Sequence, residues 1–252
     1  MTTSRVCLVT GASRGIGRSV VQRLAADGHR VALVARSQEG IDDVAREIGG
    51  EVMTIAADVT EIADVSRMFG EVEQRWGSVE VLVANAGSGT AAPLVDTTDD
   101  VWSRAIELNL TAPFRCVRRG LPGMLDNGWG RIVIVASVVA KRGESEVSAY
   151  TASKHGVLGL VRAAAAEVAS KGVTINAVCP GYVDTPMTER TVAAISARTG
   201  RSAQDARDAL ARSQPIGRLI DPAEVAEAVR FCVVNGAVTA QGINVDGGAV
   251  QS

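Results

Sequence analysis

Apolar residues fall into short unbroken runs, separated by longer stretches in which they recur every three or four positions. The short runs are 6–9, 31–35, 52–56, 79–84, 131–136, 173–178 and, near the end, 241–245; each has the length of a strand. They are continuous rather than alternating, which predicts strands covered on both faces. The stretch 18–27, closed by Gly28, and the stretch 41–48 predict the first two helices, and helical patterns fill most of the remaining gaps. Strand, helix and strand repeated in this way predict an α/β fold with a doubly wound parallel sheet and right-handed crossovers. Ligands of such sheets bind beyond the carboxyl ends of the strands, so the residues just after each run are the candidates for chemistry.

The first run is followed by Thr10-Gly11-Ala12-Ser13-Arg14-Gly15-Ile16-Gly17, which opens the first helix. Three glycines let the backbone turn tightly and approach a pyrophosphate, and the helix N-terminus offers it free N–H groups. The second run ends in Ala35-Arg36-Ser37. An acidic residue there would bind an adenosine ribose and repel a 2′-phosphate. Arg36, together with Arg14 of the glycine loop, suits a phosphate dianion instead, which points to NADP(H) rather than NAD. Asp58, before Val59 and after the third run, is placed to accept from an adenine amino group. After the fourth run, Asn85-Ala86-Gly87 is a small-residue turn along which the cofactor can lie close.

Ser137 follows the fifth run, and thirteen residues later comes Tyr150-Thr151-Ala152-Ser153-Lys154. Residues i and i+4 share a helix face, so Tyr150 and Lys154 point the same way. A lysine cation nearby favours a phenolate, and the expectation is a lowered tyrosine pKa and a general acid–base acting on a carbonyl oxygen. Ser137 is positioned to hold that oxygen. Asn109, polar in an apolar helical stretch, is a candidate anchor for a water joining Lys154 to solvent. His155 points elsewhere on its helix and receives no role.

Composition narrows the field. The 252 residues, 46% hydrophobic and 21% charged, contain no linker-like stretch, which predicts one domain over 1–252. A formal net charge of -2 gives no reason to expect nucleic acid or an anionic membrane as partner. Cys7, Cys116, Cys179 and Cys232 are far apart with no histidine cluster beside them, so buried free thiols are expected, with no metal site and no disulfide framework. Met1-Thr2-Thr3-Ser4-Arg5 lacks the features of a signal peptide, and no run approaches the ~18 apolar residues of a membrane span. A cytoplasmic location is expected.

Taken together, these motifs closely resemble the short-chain dehydrogenase/reductase family over essentially the whole chain. The resemblance implies a single-domain, seven-stranded Rossmann fold. It implies a catalytic set at Asn109, Ser137, Tyr150 and Lys154, with Tyr150 and Lys154 also touching the cofactor. Pro180-Gly181 matches the segment that contacts the nicotinamide, with Val183 and Thr185 at its carboxamide, and a homotetramer is the usual assembly. Ala84 departs from the pattern, because many members carry an asparagine there.

Within the family the chain is most similar to 3-oxoacyl thioester reductases and aromatic polyketide ketoreductases, through Ser-Lys-His-Gly-Val at 153–157, Asn-Ala-Val-Cys-Pro-Gly at 176–181 and Pro-Ile-Gly-Arg at 215–218. Residues 187–214 correspond to a substrate lid. The expected reaction is NADPH-dependent reduction of a ketone, borne on a small molecule or thioester. Acyl carrier protein is weakly supported as a partner, since Lys171 is the one basic residue matched to a docking patch, with Arg118 and Arg119 nearby in sequence. Two alternatives are an NAD-dependent dehydrogenase of a secondary alcohol and a non-catalytic NADP-binding sensor.

Overall fold

A computed structural model describes residues 3–251. Met1 and Thr2, expected above to lead into the first strand, lie outside them. Seven parallel strands form one sheet: β1 (Val6–Thr10), β2 (Arg30–Ala35), β3 (Val52–Ala56), β4 (Val81–Ala84), β5 (Gly130–Val135), β6 (Val173–Pro180) and β7 (Gly242–Val245). Their order is β3-β2-β1-β4-β5-β6-β7. The chain winds outward from β1 to β3, then returns to place β4 on the other side of β1. This reversal opens a crevice at the carboxyl ends of β1 and β4. Val9 pairs with Leu33 on one side and with Val83 on the other, so the loops that follow these three strands emerge side by side.

Continuous hydrophobicity in the strands has the cause expected of it. Leu8, Leu82, Ile132 and Ile134 face one core, and Cys7, Val9, Val81, Val83, Val133 and Val135 face the other. The first core is closed by helices α3 (Ile62–Trp76), α5 (Ala112–Asp126) and α6 (Ser148–Val168), which contribute Phe69, Met124 and Val157. Helices α1 (Gly15–Ala26), α2 (Gln38–Ile48) and α9 (Pro222–Val234) close the second with Val20, Leu24, Ile41 and Val229. All four cysteines are buried free thiols. No helix among the described residues is long and apolar enough to cross a membrane.

Between α4 (Asp99–Ile106) and α5 the chain makes one π-helical turn, Glu107–Thr111. Asn109 was read as lying in an ordinary helix; it sits in this wider turn, fully buried. Such turns recur at functional sites. Residues 187–214 fold mainly as α7 (Pro186–Thr199) and α8 (Ala203–Arg212), around a small core of Val192, Ala206 and Leu210.

Phe69 is fully buried and lies so close to Gly120 of α5 that a Cβ there would stand 2.9 Å from its ring. Contact this close leaves little room for collapse around a missing ring. Phe69→Ala is therefore expected to cost about 3–5 kcal/mol, read as a lower midpoint in denaturant unfolding.

Candidate active site

The crevice begins at the glycine loop. Thr10 Oγ1 accepts the N–H groups of Asn85 and Ala86 at 3.0 and 3.1 Å, while the Asn85 amide donates to the carbonyls of Thr10 and Gly11. The turns after β1 and β4 are thus laced directly together. A Cβ on Gly17 would stand 2.1 Å from the Gly11 carbonyl oxygen, a contact no side chain allows, so the loop folds tightly only with glycine there.

Other expected cofactor residues cluster along the same edge. A Cβ on Gly40 would lie 3.3 Å from the Ser13 side chain and 3.4 Å from Ser37 Oγ, and Ser37 caps α2 by accepting from Gly40 N. The turns after β1 and β2 therefore adjoin. Arg14 and Arg36 are exposed beside them, and neither has an ion-pair partner among the described residues. Asp58 accepts from Thr60 through one carboxylate oxygen and closes the turn after β3. Across the crevice, a Cβ on Gly15 would come within 3.1 Å of Thr185, so the segment holding Pro180, Gly181, Val183 and Thr185 borders the glycine loop.

The catalytic candidates converge deeper in the same crevice. Ile16, Asn85, Ser137, Tyr150, Lys154 and Gly181 all line one cavity of about 220 Å³. Helix α6 carries Tyr150 and Lys154 on one face, as the spacing predicted; Lys154 Nζ lies 5.6 Å from the Tyr150 ring centre and donates to the Val135 carbonyl at 2.8 Å. Ser137 is placed to pull the Tyr150 phenol's pKa down, and its hydroxyl accepts from Val139 N. Asn109 Oδ1 accepts from Ser88 N at 3.1 Å, and its amide donates to Ser88 O and Ala105 O. Its side chain thus anchors the loop after β4. A Cβ on Gly87 would lie 2.9 Å from Asn109 Oδ1 and 3.6 Å from Lys154 Nζ, so the loop passes tightly over both. His155 is exposed and bonds to its own helix at Thr151 O.

The electrostatics correct one expectation. Burial raises the Tyr150 phenol to about 12; Ser137 pulls it down and Glu144 pushes it further up. Burial also lowers Lys154, to about 8. The lysine was expected to stabilise a phenolate. Lys154 is not among the groups that shift the phenol, and burial is the largest cause. At neutral pH the tyrosine keeps its proton.

Three residues were missed by the sequence reading: Glu144 and Tyr182 line the cleft, and Gln214 holds Tyr182. Tyr182 follows Gly181 and donates its phenol proton to Glu144. Gln214, fully buried, accepts from Tyr182 N at 2.8 Å and donates to Tyr182 O and Arg218 O. Adjacency to Pro180-Gly181 was a usable signal for Tyr182; Glu144 and Gln214 carried none. Of the basic residues near the supposed docking patch, Arg119 pairs with Glu73 at 2.6 Å and Arg118 lies over Phe114. Lys171 precedes β6, at the end of the sheet opposite this cleft.

Tyr150 and Tyr182 are the only tyrosines, which makes the proton placement measurable. In Tyr182→Phe, tyrosinate absorbance is expected to develop near pH 12 in the folded protein, against ~10 for a free tyrosine. Because the folded value is the higher, the associated stability is present below pH ~10 and is lost as pH rises toward 12. Titration at ~10 in the folded state would show that the phenol is not desolvated.

Comparison with known proteins accords with this arrangement. Residues 5–196 match the family profile described as short chain dehydrogenase. A protein of Streptomyces coelicolor bearing the name of a ketoacyl reductase is 40% identical over 252 residues, covering 97% of each chain. The cis-4-hydroxycyclohexanecarboxylate dehydrogenase of Sinomonas cyclohexanicum is 40% identical over 250 residues, covering 97% of this chain and 96% of that one. Among solved structures, a single-substitution variant of actinorhodin polyketide ketoreductase with NADPH superposes with a TM-score of 0.95 at 40% identity, covering 99% of each chain. By its fold, its profile match and these relatives, the chain belongs to the short-chain dehydrogenase family of oxidoreductases.

Proposed function

We propose that the protein is an NADPH-dependent ketone reductase acting on a 3-oxoacyl or polyketide-like substrate. The observation that carries this reading is the convergence of Ser137, a protonated Tyr150 and the buried Lys154 on one cavity that adjoins the glycine loop. Similarity to a ketoacyl reductase and to an NADPH-bound polyketide ketoreductase supports the substrate class and the cofactor.

The residues present fit such a cofactor. The cradle at Gly17, which a Cβ would fill, and the amides of Gly11, Ser13, Gly15 and Ile16 suit its pyrophosphate. Arg14, Arg36 and Ser37 suit a 2′-phosphate, and Asp58 and Val59 suit the adenine. Asn85, Ala86 and Gly87 would lie along its path to the cavity; Tyr150 and Lys154 would hold the ribose, and Pro180, Gly181, Val183 and Thr185 the nicotinamide. When bound, NADPH supplies the hydride.

The protein's own groups manage the proton and the geometry. Ser137 holds the carbonyl oxygen, and Tyr150 gives that oxygen its proton as negative charge develops there. Lys154, with a pKa near 8, exchanges protons at neutral pH and so restores the one Tyr150 gives up. Asn109 keeps the loop over Lys154 in place through Ser88. Helices α7 and α8 act as the lid, and Met187, Thr188 and Thr191 close the cavity from that side.

Likeness to a cis-4-hydroxycyclohexanecarboxylate dehydrogenase favours a second reading, oxidation of a cyclic alcohol. The two exposed arginines beside the glycine loop, and the absence of an acid at the end of β2, speak for NADPH and the reductive direction.

Loss of nicotinamide absorbance with acetoacetyl-CoA and bulky cyclic ketones tests the reading. Tyr150→Phe is expected to lower kcat roughly 10²–10⁴-fold while leaving NADPH binding within a few-fold. Arg36→Ala is expected to raise the KM for NADPH about ten- to hundredfold, with NADH little changed. Oxidation of alcohols with NAD and no reduction of any ketone would establish the second reading instead.

A further inference from the structure

The cavity has a second polar wall that proton transfer to the ketone does not use. Glu144, in the loop after β5, and Tyr182, in the loop after β6, both line it. Tyr182 is held from three sides. Its ring packs on the small core of α7 and α8, Gln214 clamps its peptide, and its hydroxyl is bonded to Glu144. Burial and the adjacent carboxylate push its pKa well above the usual tyrosine value, so the phenol donates and Glu144 accepts.

A count of donors and acceptors then describes the wall. The one phenol proton is committed to Glu144 Oε1, and an ionised carboxylate has only lone pairs to offer. Arg142 Nη2 stands 3.6 Å from Glu144 Oε2, an ion pair beyond hydrogen-bond length. Arg142 Nη1 donates to the Ala249 carbonyl. Among the described residues Oε2 has no hydrogen-bond donor. The wall therefore presents negative charge and acceptors but no proton. A hydroxyl meeting it gains a charge-assisted hydrogen bond, whereas a carboxylate meets like charge.

We propose that Glu144, braced by Tyr182, selects ketones carrying a second, hydrogen-bond-donating hydroxyl and rejects those carrying a carboxylate. This rests on the reading of the cleft as a ketone reductase site and names its substrate class more narrowly.

The test compares 1-tetralone, its ring-hydroxylated derivatives and the matching carboxylates, with NADPH, in the wild-type protein, Glu144→Gln and Tyr182→Phe. In the wild type, kcat/KM for the best hydroxylated ketone is expected to exceed that of 1-tetralone roughly ten- to hundredfold, and the carboxylates are expected to fall below both. Glu144→Gln, nearly the same size but uncharged, should shrink the hydroxyl preference about tenfold and raise the carboxylates toward 1-tetralone. Tyr182→Phe keeps the charge and should keep the order. Equal loss on all substrates in Glu144→Gln would reduce the pair to a structural brace and overturn the proposal, as would a wild type that ignores the substituent. A second arm measures binding of the same ketones by calorimetry to Tyr150→Phe, with and without Glu144→Gln. Hydroxyl-dependent binding that needs Glu144, alongside a wild type that reduces none of the ketones, would uphold the recognition and remove the reductase reading. Turnover without discrimination does the reverse, and binding without discrimination overturns the recognition in either case.

Discussion

A desolvated ammonium sets the terms for the rest of the site. Lys154 is buried at 3% exposure, and a charge so placed is costly unless its donors are served. Among the described residues it has one acceptor, the Val135 carbonyl at the end of β5, although an ammonium has three protons to give. The shortfall explains why burial draws its pKa to about 8, and it leaves donors for whatever enters the cavity. The surroundings are arranged so that the lysine can sit there at all. β5 must end where its last carbonyl is free, and the loop after β4 must pass over Lys154 without a side chain at Gly87. The π-turn must turn Asn109 inward to hold that loop.

Neighbouring groups divide the labour by environment rather than by residue type. The two tyrosines both have raised pKa values, but for different reasons and with different consequences. Tyr150 is pushed up chiefly by burial, with Ser137 pulling the other way, and no carboxylate among the described residues accepts its proton. Tyr182 is committed to a carboxylate and is of no use as an acid. Glu144 connects them, since its charge disfavours ionisation of both. The cleft thus has one wall that gives a proton and one that only accepts.

Much of this was legible in the sequence because it depends on periodicity and on strand ends. Seven apolar runs marked the seven strands to within two residues at their ends, since strands so largely buried carry few polar positions to blur them. Ser137, Asn85 and the glycine loop could be found because they follow those runs, and Tyr150 with Lys154 because helix geometry forces i and i+4 together. Glu144 was hidden for the opposite reason. It lies in an aperiodic loop whose course is set by Glu146, at φ 65, and by the pairing of Glu146 O with Ala92 N. Gln214 entered the sequence reading only as the end of the lid segment, and only packing shows it to be a buried clamp. The direction of the Tyr150 shift was beyond the sequence as well, because it is a contest between desolvation and charge that distances and burial decide.

That contest bears on the direction of the proposed reaction. Reduction needs a phenol with a proton to give, and oxidation of an alcohol needs a phenolate to receive one. With Tyr150 near 12 and Lys154 near 8, the phenol is protonated throughout the neutral range, so the resting site is already in the form that reduction requires. The oxidative form must be created against desolvation and against the charge of Glu144. A bound cofactor changes this balance to the extent that it alters charge beside the phenol. An oxidised nicotinamide, being cationic, favours the phenolate, whereas the reduced ring does not. The same four side chains can therefore serve either direction, but only the reductive one begins from the protonation state that the folded protein itself prefers.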